Sequence, residues 1–538
     1  MTNVLLSNSL AYPILSVVLL TPLAGAACCF FIRNQTVLKL WGLLVTLMTA
    51  ALSLPLWTAF DRSTAAYQFV EVLDWFPTIG LSYQLGVDGI SVLLVLLTTL
   101  IMPLCILCSW KYIEHRLAEF IFAILVMETA MIGVFVSLNT VLFYIFWEAM
   151  LIPMYLLIAV WGGPRKDYAA IKFFLYTFVA SIFFLVAIIA LRVKVGTFFI
   201  PDLMAASYSF GWQAWIFAGC ALAFAVKIPM FPFHTWLPAA HVEAPTAGSV
   251  ILASILLKMG GYGFLRFCLP MAPQATEFFA PFLIVLSLVG ILYGGYLALG
   301  QSDIKKLIAY SSVGHMGFVT LGIFLLNMEG LKGAMLQMIN HGITTGALFI
   351  CIGIIYERTH SRELQDNAAL GMFMPVYVTF LGIFSLSSLA FPGTNSFVGE
   401  FLVLMGAFRS QPLVGAIAIP GAILAAAYML RMLQKMVWDK SDGHAHAHSH
   451  GEAALEGLHG HEGEEGGHGD EHDHGHGHER KLWDLDLREM ACLAFLVVFV
   501  FWIGLHPQPV LSVMDASISH LLEQVAAGQG ALGAGTGH

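Results

Sequence analysis

The run CALAFAVKIPMFPFHTWLPAAH, residues 220–241, decides how this chain is to be interpreted. Seven apolar residues precede Lys227, and prolines follow at 229, 232 and 238. A charged side chain at membrane depth is costly and normally faces protein or water. Proline breaks a helix, and lipid tolerates a break only where protein or a wet cavity receives the freed backbone groups. The run therefore predicts a transmembrane helix that is interrupted next to a buried ammonium group.

The composition of the whole chain is that of a membrane protein. Of the 538 residues, 58% are hydrophobic and 11% are charged, whereas soluble domains carry roughly 25% charged residues. A window of about 19 residues finds about 14 apolar stretches that can cross a hydrocarbon core of roughly 30 Å. The twelfth, 371–409, is too long for one plain helix and contains Phe391-Pro392-Gly393. We expect an all-α integral membrane protein with about 14 transmembrane helices, of which the seventh and the twelfth are broken.

The two broken helices indicate an internal repeat. Broken spans at corresponding positions of two halves are typical of transporters, whose sites lie near the membrane midplane. The breaks are five helices apart, and because five is odd the second copy must be inserted upside down. We predict inverted repeats at 118–268 (helices 4–8) and 279–437 (helices 9–13). Helices 1–3, within 1–110, and helix 14, at 486–506, then pack outside the repeats, and 507–538 contains a helix suited to the membrane interface.

Lysine and arginine residues are distributed unevenly between the two membrane faces. We call the face that holds residues 441–481 the loop side, and the face that holds both chain ends the terminal side. Most of the 25 lysines and arginines fall at loop-side helix ends. The terminal side receives Arg62, Arg192, Lys194, Arg266, Lys332 and Arg409. Cytoplasmic segments carry the excess of these cations, so both termini are predicted to lie outside the cytoplasm.

One segment has a different composition from the rest. Residues 441–481 contain 11 of the 20 histidines together with many glycines and acids, and such a segment cannot bury enough apolar surface to fold. We predict a disordered cytoplasmic loop. Its histidines mostly alternate with Gly or Ala and lack a fixed ligand frame, so an insertion without function is favoured over a metal site.

The chain lacks the signatures of two other classes. The net charge of −9 arises largely because acidic residues crowd into that loop, and nucleic acid is not an expected partner. Cys105 and Cys108 form a C-x-x-C without a second pair, which favours packing over a metal or redox site. No cysteine spacing suits an iron-sulfur cluster and no G-x-G-x-x-G follows a strand. We expect no cofactor on this chain.

Six titratable residues fall within or beside the predicted spans, each in an apolar context. They are Glu148 in FYIFWEAMLIPMY, Lys227 before the first break, Lys258 in SILLKMGGYGF, His315 in AYSSVGHMGF, His341 in QMINHGITTGALF and Glu400 in NSFVGEFLVLMG. Any one of them alone could be a structural pair or a hydrogen-bonded core residue. Six such groups on different helices, two of them beside breaks, predict instead a path for protons across the bundle. Glu128 is a weaker candidate.

At these residues the sequence resembles the antiporter-like family of proton-pumping membrane subunits of bacterial respiratory NADH:quinone oxidoreductase, complex I. The similar motifs include VDGISVLLVLLTTLIMP (87–103), FAVKIPMFPFHTWLPAAH (224–241), SDIKKLIAYSSVGHMGF (302–318) and FPGTNSFVGEF (391–401). The resemblance implies a 14-helix fold with inverted repeats, a location in the cytoplasmic (inner) membrane, and neighbouring membrane subunits as partners. It also implies that flavin and iron-sulfur clusters belong to other subunits.

The resemblance further implies roles for the six residues. Glu148 would tune Lys227, Lys258 and His341 would form the middle of a proton relay near His315, and Glu400 would end it near the periplasmic exit. Glutamate at 400 is similar to one branch of the family, whereas sister chains resemble each other in having lysine there. Ala239 departs from the aspartate of many relatives, and the His-rich loop departs from the family altogether.

Three other functions compete with this interpretation. A subunit of a multisubunit sodium/proton antiporter would share Glu148, Lys227 and Lys258. A divalent-metal transporter is suggested only by the His-rich loop, because no span carries the paired His/Asp ligands that such a site needs. A membrane scaffold without proton traffic would use the buried charges only for assembly.

Overall fold

The structure, a computed structural model, describes residues 5–7, 10, 12–76, 78, 80–439 and 483–530. The predicted His-rich loop at 441–481 therefore falls entirely outside the described residues, as does the tail from 531 to 538. The described residues contain 13 helices that are long and apolar enough to cross a membrane. The twelfth predicted span is not among them because it is divided in two, and with this divided helix the expected number of about 14 is confirmed.

The N-terminal part combines membrane helices with a small sheet. Its elements are β1 (Leu5–Ser7), α1 (Ile14–Cys28), a 3-10 turn (Cys29–Phe31), α2 (Gln35–Ser53), α3 (Pro55–Thr58), β2 (Tyr67–Phe76), β3 (Leu81–Val87) and α4 (Ser91–Cys108). Sequence analysis did not foresee the sheet. β2 pairs antiparallel with β3 and parallel with β1, outside the membrane helices. Aromatic and β-branched residues of YQFVEVLDWF favour this extended form.

The middle part contains the first predicted repeat. Its α-helices are α5 (Leu117–Val136), α6 (Thr140–Ala149), α7 (Leu151–Trp161), α8 (Lys166–Val195), α9 (Ile200–Ala205), α10 (Phe210–Lys227), α11 (Trp236–Glu243), α12 (Thr246–Ile251), α13 (Leu257–Gly263) and α14 (Leu269–Met271). A 3-10 turn at Phe233–Thr235 precedes α11, and π-helical turns at Leu252–Leu256 and Phe264–Cys268 flank α13.

The C-terminal part contains the second predicted repeat and the last helices. Its elements are α15 (Pro273–Leu299), α16 (Ile304–Phe324), α17 (Met328–Thr359), α18 (Leu370–Phe373), α19 (Pro375–Ser388), α20 (Asn395–Ser410), α21 (Pro412–Leu433), a π-helical turn (Gln434–Trp438), α22 (Leu487–Leu505) and α23 (Gln508–Gly530). The inverted relation between 118–268 and 279–437 stays a prediction.

The first predicted break follows Lys227, as expected. Pro229 has no N–H, and the Met230 N–H bonds the Ala225 carbonyl at 2.9 Å instead of the Val226 carbonyl. The Trp236 indole donates to that freed Val226 carbonyl at 2.8 Å. The helix is thus interrupted without leaving this buried acceptor unpaired.

The second predicted break separates α19 from α20. Gly393 has φ +92°, a backbone conformation that glycine adopts without strain. Asn395 receives a hydrogen bond from the Ser387 hydroxyl at 2.6 Å, and its carbonyl accepts one from the Asn340 side chain at 2.7 Å. A polar cluster on α17, α19 and α20 therefore supports this break inside the protein.

The predicted C-terminal helix is present as α23. Its residues Val513, Met514 and Ile518 are buried, and it contacts α15 and α17.

Arg266, one of the cations counted on the terminal side, is buried and forms an ion pair with Asp88 at 2.7 Å. A buried guanidinium is tolerated when a carboxylate and hydroxyls satisfy its donors, and here Tyr67 accepts a further hydrogen bond at 2.8 Å. Both partners belong to the segment that contains β2 and β3.

The chain re-enters the bundle at Asp486. This residue caps α22 by accepting from the Glu489 backbone N–H, and Glu489 returns a bond to the Asp486 N–H. Partial burial on its own would raise the pKa of Asp486, but the hydrogen bonds from Lys111, at 2.8 Å, and from the Glu489 N–H hold it below its ordinary value. The return of the chain is thus fixed on the loop side near the end of α4.

Gly260 sets the distance between α13 and the end of α10. A Cβ atom at 260 would lie 2.7 Å from both the Ile228 nitrogen and the Phe224 carbonyl oxygen. We expect Gly260→Ala to lower stability by about 1–3 kcal/mol, because backbone cannot yield as a flexible side chain can. The measurement is the thermal melting of the detergent-solubilised protein. Gly382→Ala is the control, since nothing lies within 4 Å of a Cβ there, and equal melting of the two variants would contradict the close-packing account.

Candidate functional site

Three of the six predicted residues lie on the most enclosed helices. The apolar windows of Thr246–Met271 and Met328–Thr359 are 100% buried and that of Ile304–Phe324 is 94% buried, against 33% for Gln35–Thr58. These three segments carry Lys258, His341 and His315. Other helices thus surround Lys258, His341 and His315, whereas more exposed apolar helices such as Gln35–Thr58 lie at the outside of the bundle.

Lys227 is a buried cation without a contact ion pair. Its side chain is 1% exposed, and its ammonium nitrogen finds no hydrogen-bond partner among the described residues. The ammonium lies 4.9 Å from the centre of the Trp147 ring, which offers a cation–π contact. A break in a membrane helix can line a wet cavity, but in this structure Lys227 is enclosed by protein.

Glu148, the residue after Trp147 in the sequence, faces Lys227. The two charges interact electrostatically, yet they do not form one of the ion pairs of the described residues, all of which have N···O distances of at most 4.0 Å. Tyr144 and Ser181 lie near the Glu148 carboxylate, and one carboxylate oxygen is buried without a hydrogen-bond partner among the described residues. The carboxylate therefore influences the lysine through space and is free to change partner.

Lys258 and His341 form a direct pair. The Lys258 ammonium and the His341 Nδ1 are 2.7 Å apart, and the ammonium also donates to the Ala253 carbonyl. Both side chains are at most 2% exposed. The second ring nitrogen of His341, Nε2, has no partner among the residues that the structure describes. A proton on this pair can thus reside on either residue while one nitrogen stays available.

His315 connects this pair to Glu400. The His315 and His341 rings meet edge to face with centroids 5.8 Å apart. On its other side, His315 Nδ1 lies 2.7 Å from a Glu400 oxygen. The structure therefore joins α13, α17, α16 and α20 through three consecutive side-chain contacts.

Three residues that sequence analysis did not select complete the surroundings of His315 and Glu400. Gln337 donates to the same Glu400 oxygen at 2.9 Å. Ser388 and Tyr428 lie 3.3 and 3.4 Å from His315 Nε2. Ser388 could have been suspected because it ends the helix just before a predicted break, but Gln337 and Tyr428 are ordinary polar residues in apolar spans and gave no signal.

His241 is a further buried residue that we did not select. It is 0% exposed, its ring stacks on Phe349 with centroids 4.5 Å apart, and neither ring nitrogen has a partner in the described part of the chain. It interacts electrostatically with Lys258 and Lys305. Lys305 lines a loop-side cavity of about 30 Å³. In the sequence, the position of His241 in the run after the first break was the feature that pointed to it.

Glu128 stands apart from these contacts. Its carboxyl group is 0% exposed, and both oxygens lack a hydrogen-bond partner among the described residues. Cys105 on α4 is its electrostatic neighbour. An ionised carboxylate without a partner would be costly here, which favours a neutral carboxylic acid.

No group of three His, Cys, Asp or Glu residues that could hold a metal occurs in the described residues.

Comparison with known proteins gives two family matches. Residues 137–425 match the family described as "NADH:quinone oxidoreductase/Mrp antiporter, TM". Residues 15–134 match the family described as "NADH-ubiquinone oxidoreductase chain 4, amino terminus". The first match alone covers more than half of the chain and includes all six site residues.

Individual relatives agree with these matches over nearly the full length. The chain is 43% identical to NADH-quinone oxidoreductase subunit M of Rhodobacter capsulatus, over 97% of this chain and 99% of that one. It is 42% identical to NADH-ubiquinone oxidoreductase chain 4 of Arabidopsis thaliana, over 95% and 97%. A chain of respiratory complex I from Thermus thermophilus superposes with a TM-score of 0.80 at 30% identity, over 94% of this chain and 99% of that chain.

Proposed function

This chain belongs to the family of antiporter-like membrane subunits of NADH:quinone oxidoreductase, and we propose that protons cross it along the line Glu148, Lys227, Lys258, His341, His315 and Glu400. As a proton-translocating subunit of that complex it lies in the membrane beside other membrane subunits. The NADH and quinone chemistry belongs to the complex, in which this chain takes part as a membrane subunit.

One observation carries the proposed route. The contacts of 2.7 Å between Lys258 and His341 and between His315 and Glu400 form two pairs within proton-transfer reach, and the two histidine rings bring these pairs into contact. These groups come from both predicted repeats. A scaffold would be expected to neutralise its buried charges in closed pairs, whereas here Lys227 and His341 Nε2 remain unpaired in the described residues.

The Glu148–Lys227 end of the line acts as an electrostatic switch. Opposite unit charges at about 7 Å in an effective dielectric of about 20 attract each other by roughly 2.4 kcal/mol, and we use this value to size the interaction of the pair. Moving one charge through 100 mV takes roughly 2.3 kcal/mol. Neutralising Glu148 or withdrawing it would therefore release the Lys227 proton toward Lys258 with a free energy comparable to the membrane potential.

The contact between the two histidines is the link that must rearrange. His315 already uses Nδ1 toward Glu400 and Nε2 toward Ser388 and Tyr428. A proton from His341 Nε2 therefore reaches His315 only after a ring rotation or through an inserted water. This step gives the relay a gate between its two halves, because the contacts on either side are already formed.

The orientation follows from the distribution of charges. The excess of lysine and arginine on the loop side places that side in the cytoplasm. Both termini, the β2–β3 hairpin and α23 are then periplasmic, and Glu400 lies on the last helix of the relay. A cysteine introduced at exposed Ser63 in the α3–β2 connection should react with a membrane-impermeant maleimide from the periplasm in whole cells.

We expect removal of the His-rich segment to leave the function intact. Deletion of residues 443–479 removes neither a relay residue nor a predicted membrane span. The variant should retain NADH:quinone activity and proton pumping within about twofold of the parent, as surface changes away from structural features usually have small effects. A large loss would contradict this view and would favour a loop that binds a partner or a metal.

A further inference from the structure

A basic cavity lies on the loop side next to the break after α10. Its volume is about 200 Å³. Its walls come from the start of α8, from α11 and from the start of α16, and include Arg165, Tyr168, Lys172, Ala239, Glu243 and Lys306. It holds three cations and one carboxylate and takes no part in the proton line described above.

The single carboxylate of this cavity is already engaged. The Arg165 backbone N–H donates to Glu243 at 3.0 Å, and the Arg165 guanidinium lies 3.7 Å from the same carboxylate. Lys172 and Lys306 form no ion pair within the described ranges. The Lys172 ammonium lies over Tyr168 and Tyr176, at 5.6 and 6.0 Å from the ring centres. The cavity therefore has an excess of positive charge that an anion would complement.

The depth of the cavity matches the level of lipid headgroups. α8 has 30 residues, which is about 45 Å at 1.5 Å per residue, so it exceeds a hydrocarbon core of roughly 30 Å at both ends. Lys172 is six residues from the start of α8, or about 9 Å along its axis. This position is close to the boundary between headgroups and hydrocarbon.

An exposed apolar stripe leads away from Lys172 along α8. Leu175, Val179, Ile182 and Val186 are 51, 51, 41 and 60% exposed. Their spacing of three and four residues puts them on the same face of the helix as Lys172. The stripe provides a surface for an acyl chain directly below the cationic cavity. A free phosphate ion has no apolar part that could contact this stripe.

We propose that this cavity binds the phosphate headgroup of an anionic phospholipid of the loop-side leaflet, with one acyl chain lying along the α8 stripe. Basic pockets between transmembrane helices on the cytoplasmic side suit such headgroups. Because Thr235, Pro238 and Ala239 also line the cavity, the bound lipid bridges α8 to the segment that follows the first break.

The test uses the purified intact complex in phosphatidylcholine liposomes. The probe is a phosphatidylglycerol that carries a photoactivatable diazirine in its acyl chain, and peptide mass spectrometry locates the label. We expect labelling along the α8 stripe, saturating with the probe, and only background from the same probe with a phosphatidylcholine headgroup. Excess inorganic phosphate should not displace it.

Charge variants connect the label to the cavity. Each nearby cation contributes about fivefold to binding of an anionic lipid, so Lys172→Gln with Lys306→Gln should weaken binding about 25-fold. Ala239→Asp adds a carboxylate to the wall without removing a long side chain and should also weaken it. The double arginine replacement of the two lysines should keep binding, and Arg33→Gln, which removes an exposed loop-side cation elsewhere, should not change it.

Several results would overturn the proposal. Equal labelling by the two headgroups, or unchanged labelling of both Ala239→Asp and the double glutamine variant, would remove the role of charge. Competition by inorganic phosphate would assign the cavity to the free anion. Absence of label from α8 in the assembled complex would show that a neighbouring subunit covers the stripe instead of lipid.

Discussion

A complex that carries Glu148→Gln in this chain will assemble and lose most of its proton pumping. Glutamine has nearly the same shape as glutamate, so the packing around α6 should be unaffected. It cannot ionise, and the attraction of roughly 2.4 kcal/mol that holds the proton on Lys227 disappears. The corresponding change in proton occupancy is about 60-fold, and we expect pumping to fall by at least about tenfold.

The Glu148 measurement combines NADH:quinone activity and proton pumping in membranes with a native gel for assembly. Glu119→Gln is the control, because Glu119 is an exposed acid paired with Arg116 at the start of α5. Full activity of an assembled Glu148→Gln complex would make Glu148 a structural residue and would favour the scaffold interpretation.

Lys227→Met should separate stability from function. Methionine fills a similar space under Trp147 without a charge, and replacing a buried unpaired ion by an apolar residue is often neutral or stabilising. Proton transfer through position 227 is impossible in this variant. We therefore expect melting at the same or a higher temperature than the parent, together with a loss of pumping of at least about tenfold; each tenfold step in rate corresponds to about 1.4 kcal/mol in the barrier.

Lys332→Met is the matched control for this second variant. Lys332 is paired with Asp515 at the terminal-side edge of α17, outside the proton line, so its loss should leave pumping close to normal. If Lys227→Met instead melted several degrees lower and pumped at the parent rate, Lys227 would be a structural cation and the proton line would have to bypass it.

The sequence was sufficient for the features that a local pattern determines. Lys227 with three prolines beyond it, and Phe391-Pro392-Gly393 within one apolar stretch, marked both breaks correctly. The six titratable residues were recognisable because charged groups are rare in apolar spans. The β2–β3 hairpin was not predicted, because its strands are not apolar stretches of membrane length. β2 has only ten residues and lies outside the membrane.

The contacts among the site residues depend on packing between distant helices and could not be predicted. His315 was expected only near the relay, yet it is the contact between His341 and Glu400. Gln337, which contacts Glu400, and Tyr428, which contacts His315, have no charge to make them conspicuous. The burial of Arg266 was likewise unpredictable, because it depends on the distant carboxylate of Asp88.

The most direct test of the proposed proton line is the role of the Lys258–His341 pair. Purified complex carrying Lys258→Met, reconstituted into sealed liposomes, should be assayed for protons pumped per NADH oxidised, with assembly and melting as controls. Methionine removes the proton that Lys258 shares with His341 and leaves the surrounding apolar packing in place. We expect the Lys258→Met complex to assemble and its proton pumping to fall by at least about tenfold. Pumping at the parent rate and the parent ratio of protons to NADH would contradict the proposed line.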